Sequence, residues 1–166
     1  MDYISVFSEV MKTTPITNKD MWVGSRFEYI KRTSTTNKGD IGEVYATHIL
    51  SDVGINAKIV RPKTSYDVIT ESSDKIEVKL ATLDTNYNFQ FNGIRMNREY
   101  DYVIFIGIMP NDIVFNFLSK HDVLNYNLCP MEKGQDKSNG GLKLTMKRTN
   151  MLSYEDCITR IKEILI

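Results

Sequence analysis

Apolar residues recur along this chain in three rhythms, each predicting a different element. Tyr3, Val6, Phe7, Val10 and Met11 fall at helical spacing, which predicts a short amphipathic helix over residues 2–12, ended by Thr13-Thr14-Pro15. Ile41, Val44, Tyr45, Ile49, Leu50 and Val53 repeat the helical pattern, with Asp40 as the predicted cap, a buried apolar side, an end near Asp52 and Gly54 as the stop. Between them, Trp22, Phe27, Tyr29 and Ile30 need something to pack on, and Lys31 to Lys38 is polar and basic. Residues 1–37 are therefore expected to form an N-terminal helix and arm packed on a core spanning 38–166.

The second rhythm is alternation. Ala57 to Val60 predicts a short strand broken at Arg61-Pro62, and two further short runs flank the polar turn Glu71-Ser72-Ser73-Asp74, as in a hairpin. On its second run Ile76, Val78 and Leu80 point one way, and Glu77 and Lys79 the other. Residues 88–91 predict another brief strand. The third rhythm is a continuous apolar run, Tyr102 to Ile108, expected of a central strand buried on both faces. Pro110-Asn111-Asp112 turns the chain into a return strand, Ile113 to Leu118, and Ser119 can cap a short helix over 120–124. Residues 125–141 read as a long loop, Leu142 to Met146 as a last strand, and Ser153 as the cap of a terminal helix with Tyr154, Ile158, Ile161 and Leu165 inward. The sum is an α/β fold in which helices flank a mixed central sheet.

Composition narrows the reading only a little. At 166 residues and 42% apolar content the chain can build one sizeable core. With 21 basic and 21 acidic residues, binding to nucleic acid would require local basic patches. Cys129 and Cys157 lack metal or disulfide spacing, which points to a reducing compartment, the cytoplasm or the interior of an infected host cell. No apolar run is long enough to span a membrane, so no membrane partner is expected.

The chemistry concentrates at the hairpin. Asp67 lies on the strand before the turn and Glu77 and Lys79 on the strand after it, so two carboxylates and an ammonium are expected on its exposed side, opposite an apolar one. Such a set can hold a hard divalent cation and activate a water. Two carboxylates about 4 Å apart repel by ~4 kcal/mol at an effective dielectric near 20, so without a cation one of them should take up a proton. The bland alternative is a surface cross-strand salt bridge, which is common and contributes little. Glu43, expected in the first turn of its helix, reads either as a neighbour of that metal or as a partner of the helix dipole. His48 and His121 have no carboxylate or cysteine at ligand spacing.

Asp67, nine intervening residues and then Glu77-Val78-Lys79 resemble the core motif of the PD-(D/E)XK nuclease superfamily, the fold of many restriction enzymes. Lys38-Gly39-Asp40-Ile41-Gly42-Glu43 resembles the opening of the family's first core helix, which often carries one more acid. Asn88 to Arg95 and Tyr100 to Ile104 resemble the strands that follow the motif, so the likeness spans roughly residues 38 to 118. Tyr66 replaces the proline that names the motif, a position that is not a ligand.

The resemblance implies a restriction-endonuclease-like core and a Mg²⁺-dependent endonuclease (Mn²⁺ as substitute) cutting double-stranded DNA. The implied metal ligands are Asp67, Glu77, the Val78 carbonyl and Glu43; Lys79 is implied at the attacking water and Gln90 at the site's edge. Cutting both strands implies a homodimer. A Holliday-junction resolvase and a non-catalytic DNA-binding module of the same fold stay open beside it. Phosphate or base contacts are expected from Arg95 and Arg98, and from the basic stretch carrying Lys133, Gln135, Lys137, Asn139, Lys143, Lys147 and Arg148.

Overall fold

The computed structural model describes residues 3–13, 20–62, 65–130 and 141–166. Among the described residues there are four α-helices, α1 (Tyr3–Thr13), α2 (Thr35–Asp52), α3 (Lys120–Val123) and α4 (Tyr154–Leu165). Eight strands accompany them: β1 (Ala57–Ile59), β2 (Val68–Thr70), β3 (Lys75–Thr82), β4 (Asn88–Ile94), β5 (Tyr102–Ile108), β6 (Ile113–Ser119), β7 (Leu128–Pro130) and β8 (Leu142–Lys147). None of the described helices is long and apolar enough to cross a membrane.

Five strands form a mixed sheet in the order β1-β2-β3-β5-β6, with β3 and β5 parallel and the other pairs antiparallel. The parallel register sets Val78 beside Ile104 and Leu80 beside Ile106, while Glu77 and Lys79 lie beside Val103 and Phe105. Helix α2 covers the first of these faces so closely that a Cβ on Gly42 would sit 3.4 Å from both Leu80 Cβ and Val78 Cγ1. Beyond it, Phe115 of β6 meets Tyr45 of α2 and Tyr154 of α4, with ring centroids 6.0 and 5.5 Å apart.

The other face is covered by a second sheet, three antiparallel strands in the order β4-β8-β7. Phe91 of β4 packs edge-on against Phe105 of β5 at 4.9 Å between centroids. This second sheet is the main feature that hydrophobic patterning does not disclose: residues 128–130, expected within a loop, pair with β8, and the connection from β3 to β5 runs through β4.

The second long helix starts earlier than its expected Asp40 cap. Ser34 is the cap, its hydroxyl accepting the Asn37 N–H at 3.2 Å, so Thr35–Lys38 is helix rather than linker and Glu43 lies beyond the first turn. The apolar side is also displaced. Ile49, Leu50 and Val53 are buried as expected, but Ile41 and Val44 are 45% and 49% exposed, while Gly42, Glu43 and Ala46 face the sheet. Ile41 and Val44 instead line a groove of about 600 Å³ together with Phe27, Ile30 and the exposed His48. The arm ahead of α2 is tied to the β5–β6 turn: Trp22 is buried, the Phe27 N–H donates to the Pro110 carbonyl, and the Arg26 N–H donates to Asn111 Oδ1. Ile4, Val6 and Val10 of α1 are exposed.

Gly107 of β5 lets the two sheets approach closely, since a Cβ there would meet the ring of Phe89 at 2.8 Å. Alanine in a strand normally outperforms glycine, so the sign of Gly107→Ala is diagnostic. It should destabilise by about 1–3 kcal/mol in urea unfolding, and adding Phe89→Leu should recover part of the loss.

Candidate metal and phosphodiester site

The chain places the hairpin trio at the open edge of β3. Pairing between β2 and β3 begins at Val68 and Ile76, and just outside it the Asp67 N–H still donates to the Ile76 carbonyl. One residue further on, the Asp67 side chain takes over: the Val78 N–H donates to Asp67 Oδ2 at 2.9 Å. The N–H and C=O of one strand residue point the same way, so the Val78 carbonyl faces the edge that holds Asp67.

The two acids are interior rather than exposed, and Lys79 is partly buried. Glu77 retains 3% of its surface and Asp67 9%, because the small sheet lies over the face that Glu77 and Lys79 share with Val103 and Phe105. Lys79 Nζ lies 2.7 Å from Glu77 Oε1 and would stand 4.0 Å from a Cβ placed on Gly93 of β4. Arg98 approaches the same Glu77 oxygen at 4.0 Å. The other oxygen, Glu77 Oε2, is buried with no hydrogen-bond partner among the described residues.

Two titrating neighbours register this charge. The Asp67 carboxyl is raised from 3.8 to about 6, first by burial and then by the Glu77 charge, against the opposing pull of the Val78 N–H and Lys79. The Tyr100 hydroxyl is pushed up to about 12, again by burial first and by Glu77 second.

Glu43 comes toward Asp67 from the helix side of the sheet and adds to the negative field there. It is buried and held by Arg61 at 2.5 Å, and Arg61 also reaches Asp40 at 3.3 Å. Neither Arg61 nor Tyr100 was singled out from the sequence. Arg61 lies 18 positions after Glu43 in the chain, and only the fold joins them.

Gln90 points away from the trio. Gln90 alternates with buried Phe89 and Phe91, so it occupies the opposite face of β4; its amide donates to Asp84 Oδ2 at 3.1 Å and accepts from the Thr145 hydroxyl at 2.7 Å. Arg95 follows β4, Lys143 and Lys147 are on β8, and exposed Arg148 directs Nε to Met109 Sδ at 3.1 Å. Lys133, Gln135, Lys137 and Asn139 lie outside the described residues.

The donor set suits a hard cation that keeps much of its water. Among the described residues no group of three or more His, Cys, Asp or Glu side chains forms a ready cage. Mg²⁺ needs only one or two carboxylates; Asp67, Glu77 with its orphaned oxygen and the Val78 carbonyl supply oxygens alone.

No protein-family sequence profile matches this chain, and no curated protein sequence matches it. Its fold is similar to that of a bacterial homing endonuclease, I-Ssp6803I, with a TM-score of 0.53 and 16% identity over 80% of this chain and 91% of that one. The two share an overall fold.

The Asp67 shift has a testable consequence. A carboxyl raised from 3.8 to about 6 binds its proton more tightly folded than unfolded, so stability falls as pH rises through that window, by about 3 kcal/mol when complete. Urea unfolding in EDTA should show this loss between pH 4 and pH 7 over and above other groups. Asp67→Asn, which keeps an acceptor for the Val78 N–H, should remove it.

Proposed function

We propose that this chain is a Mg²⁺-dependent, sequence-specific DNA endonuclease of the PD-(D/E)XK superfamily, of restriction or homing type, acting where DNA is found inside a cell. The observation that carries this reading is the buried Glu77 oxygen without a partner, in the field of Asp67, whose proton affinity burial and Glu77 raise, and beside the Lys79 ammonium. Desolvating a carboxylate and leaving half of it unsatisfied costs stability, and a bound cation would offset that cost. The likeness in fold to a homing endonuclease supports DNA as the substrate.

Asp67, Glu77 and the Val78 carbonyl would hold Mg²⁺ (or Mn²⁺). When bound, the ion lowers the pKa of its water and clamps phosphate oxygens. Lys79 keeps its ammonium at the reacting phosphate, orienting the water and stabilising the growing negative charge through N–H donors not used by Glu77. The Arg61 guanidinium holds Glu43 in place, so Glu43 acts from outside the inner ligands. One such site cuts one strand, so cutting of both strands calls for a homodimer.

Plasmid nicking in Mg²⁺ tests the reading. Glu77→Ala, Asp67→Ala and Lys79→Ala should each lower the rate by about a hundredfold to ten-thousandfold while keeping a cooperative melt. Mg²⁺ should raise the melting temperature of the parent and leave that of Asp67→Ala unchanged; equal shifts would place the ion elsewhere. Four-way junction and linear duplex run side by side separate a resolvase from a restriction or homing enzyme. No nicking of any DNA in Mg²⁺ or Mn²⁺ would end the enzyme reading.

A further inference from the structure

The small sheet has two dissimilar faces. Phe89, Phe91, Leu144 and Met146 point into the core. The alternating positions on the other side carry Asn88, Gln90 and Asn92 of β4 and Lys143, Thr145 and Lys147 of β8, three amides, a hydroxyl and two amines. The antiparallel register sets Asn88 across from Lys147 and Gln90 across from Thr145.

Polarity alone would describe any solvated sheet face; three further observations single this one out. Its side chains are pre-oriented, since Thr145 donates to Gln90 Oε1 at 2.7 Å and the Gln90 amide donates to Asp84 at 3.1 Å. Among the described residues its charge is basic: Lys147 and the adjoining Arg148 are exposed, and Asp84, the acid that Gln90 meets, is occupied by the N–H groups of Asn86 and Asn88 and by Gln90. It is also continuous with the cutting site, because β4 passes Lys79 at Gly93.

We propose that this outer face of β4 and β8 enters the major groove of duplex DNA and reads base edges there, an inference that builds on the endonuclease reading of Asp67, Glu77 and Lys79. The major groove admits a two-stranded β-ribbon and presents distinct donor and acceptor patterns. Outward side chains on a strand recur every ~6.8 Å, about two nucleotide steps of ~3.4 Å each along one DNA strand. Amides pair with adenine and lysine with guanine, so Gln90 and Asn92 read bases while Lys143 and Lys147 hold guanine or phosphate. Gln90 becomes a specificity residue instead of a member of the metal site.

The test is selection from a randomised duplex library by the full chain in EDTA, with bound sequences read out, beside cutting of the same library in Mg²⁺. Gln90→Ala should relax base choice at one position by about tenfold or more. Lys143→Ala with Lys147→Ala should weaken binding to all sequences and make the salt slope shallower by about two. Lys162→Ala, which removes one positive charge from α4, should change neither. Unchanged selection and slope in the face variants, no selection by the parent, or tighter binding of double-stranded RNA, whose deep, narrow major groove excludes side chains, would each overturn the proposal even if the parent cuts DNA. Selection with the expected variant effects but no cutting would keep the reading face and remove the endonuclease.

Discussion

The packing of the small sheet across the second face of β3 and β5 is the constraint on which the site depends. In a two-layer protein that face would be solvated, and Glu77 and Lys79 would form a weak surface pair. Here Phe89 and Phe91 bring an apolar layer down onto Phe105 and Gly107, and the pair is drawn into the interior with it. A buried ion pair offsets its desolvation only when the remaining lone pairs are also bonded. Glu77 Oε2 is not. Position 77 therefore breaks the rule that its neighbours at 76 and 78 obey, in the manner of a site where stability has been given up for chemistry.

The sheet edge supplies the second half of the arrangement. Strand β2 stops short, and a carboxylate takes the place that the next backbone acceptor would have filled opposite the Val78 N–H. That bond pulls the Asp67 proton affinity down while burial and Glu77 push it up more strongly. One side chain thus finishes the β3 ladder and stands in the field of Glu77, so the placement of Asp67 is set by backbone pairing rather than by mobile loops. Arg61 stabilises the approach of Glu43 in the same way, by an ion pair across the helix–sheet boundary.

Much of this was legible in the sequence wherever local chemistry decides structure. The hairpin around residues 71–74, the doubly buried β5 and the Ser119 and Ser153 caps follow from alternation, run length and capping. Three features were not legible, each because a distant segment overrides a local rule. Alternation separates Glu77 from Val78 but cannot say that a second sheet covers the charged side. Asp40 is a good cap, but Ser34 lies upstream and Thr35–Lys38 can be helical, so the helix takes the earlier start and turns Ile41 and Val44 outward. Gln90 sits in a stretch whose sequence resembles the site's edge, and its direction depends on which face of β4 meets Phe105.

The alternation of β4 also separates two jobs that one surface would force together. Its inward residues set the depth at which Glu77 and Lys79 are buried, and their substitution disturbs packing density and the electrostatics of the acids at once. Its outward residues touch solvent, Asp84 and Thr145, and their substitution leaves the core intact. If the outer face meets DNA, base preference can change through exposed amides and amines with no repacking beneath them. The two acids can then remain in a register fixed by β2, β3 and β5. A two-faced strand of this kind keeps recognition adjustable while holding the chemistry rigid, because in a strand each successive side chain belongs to the opposite surface.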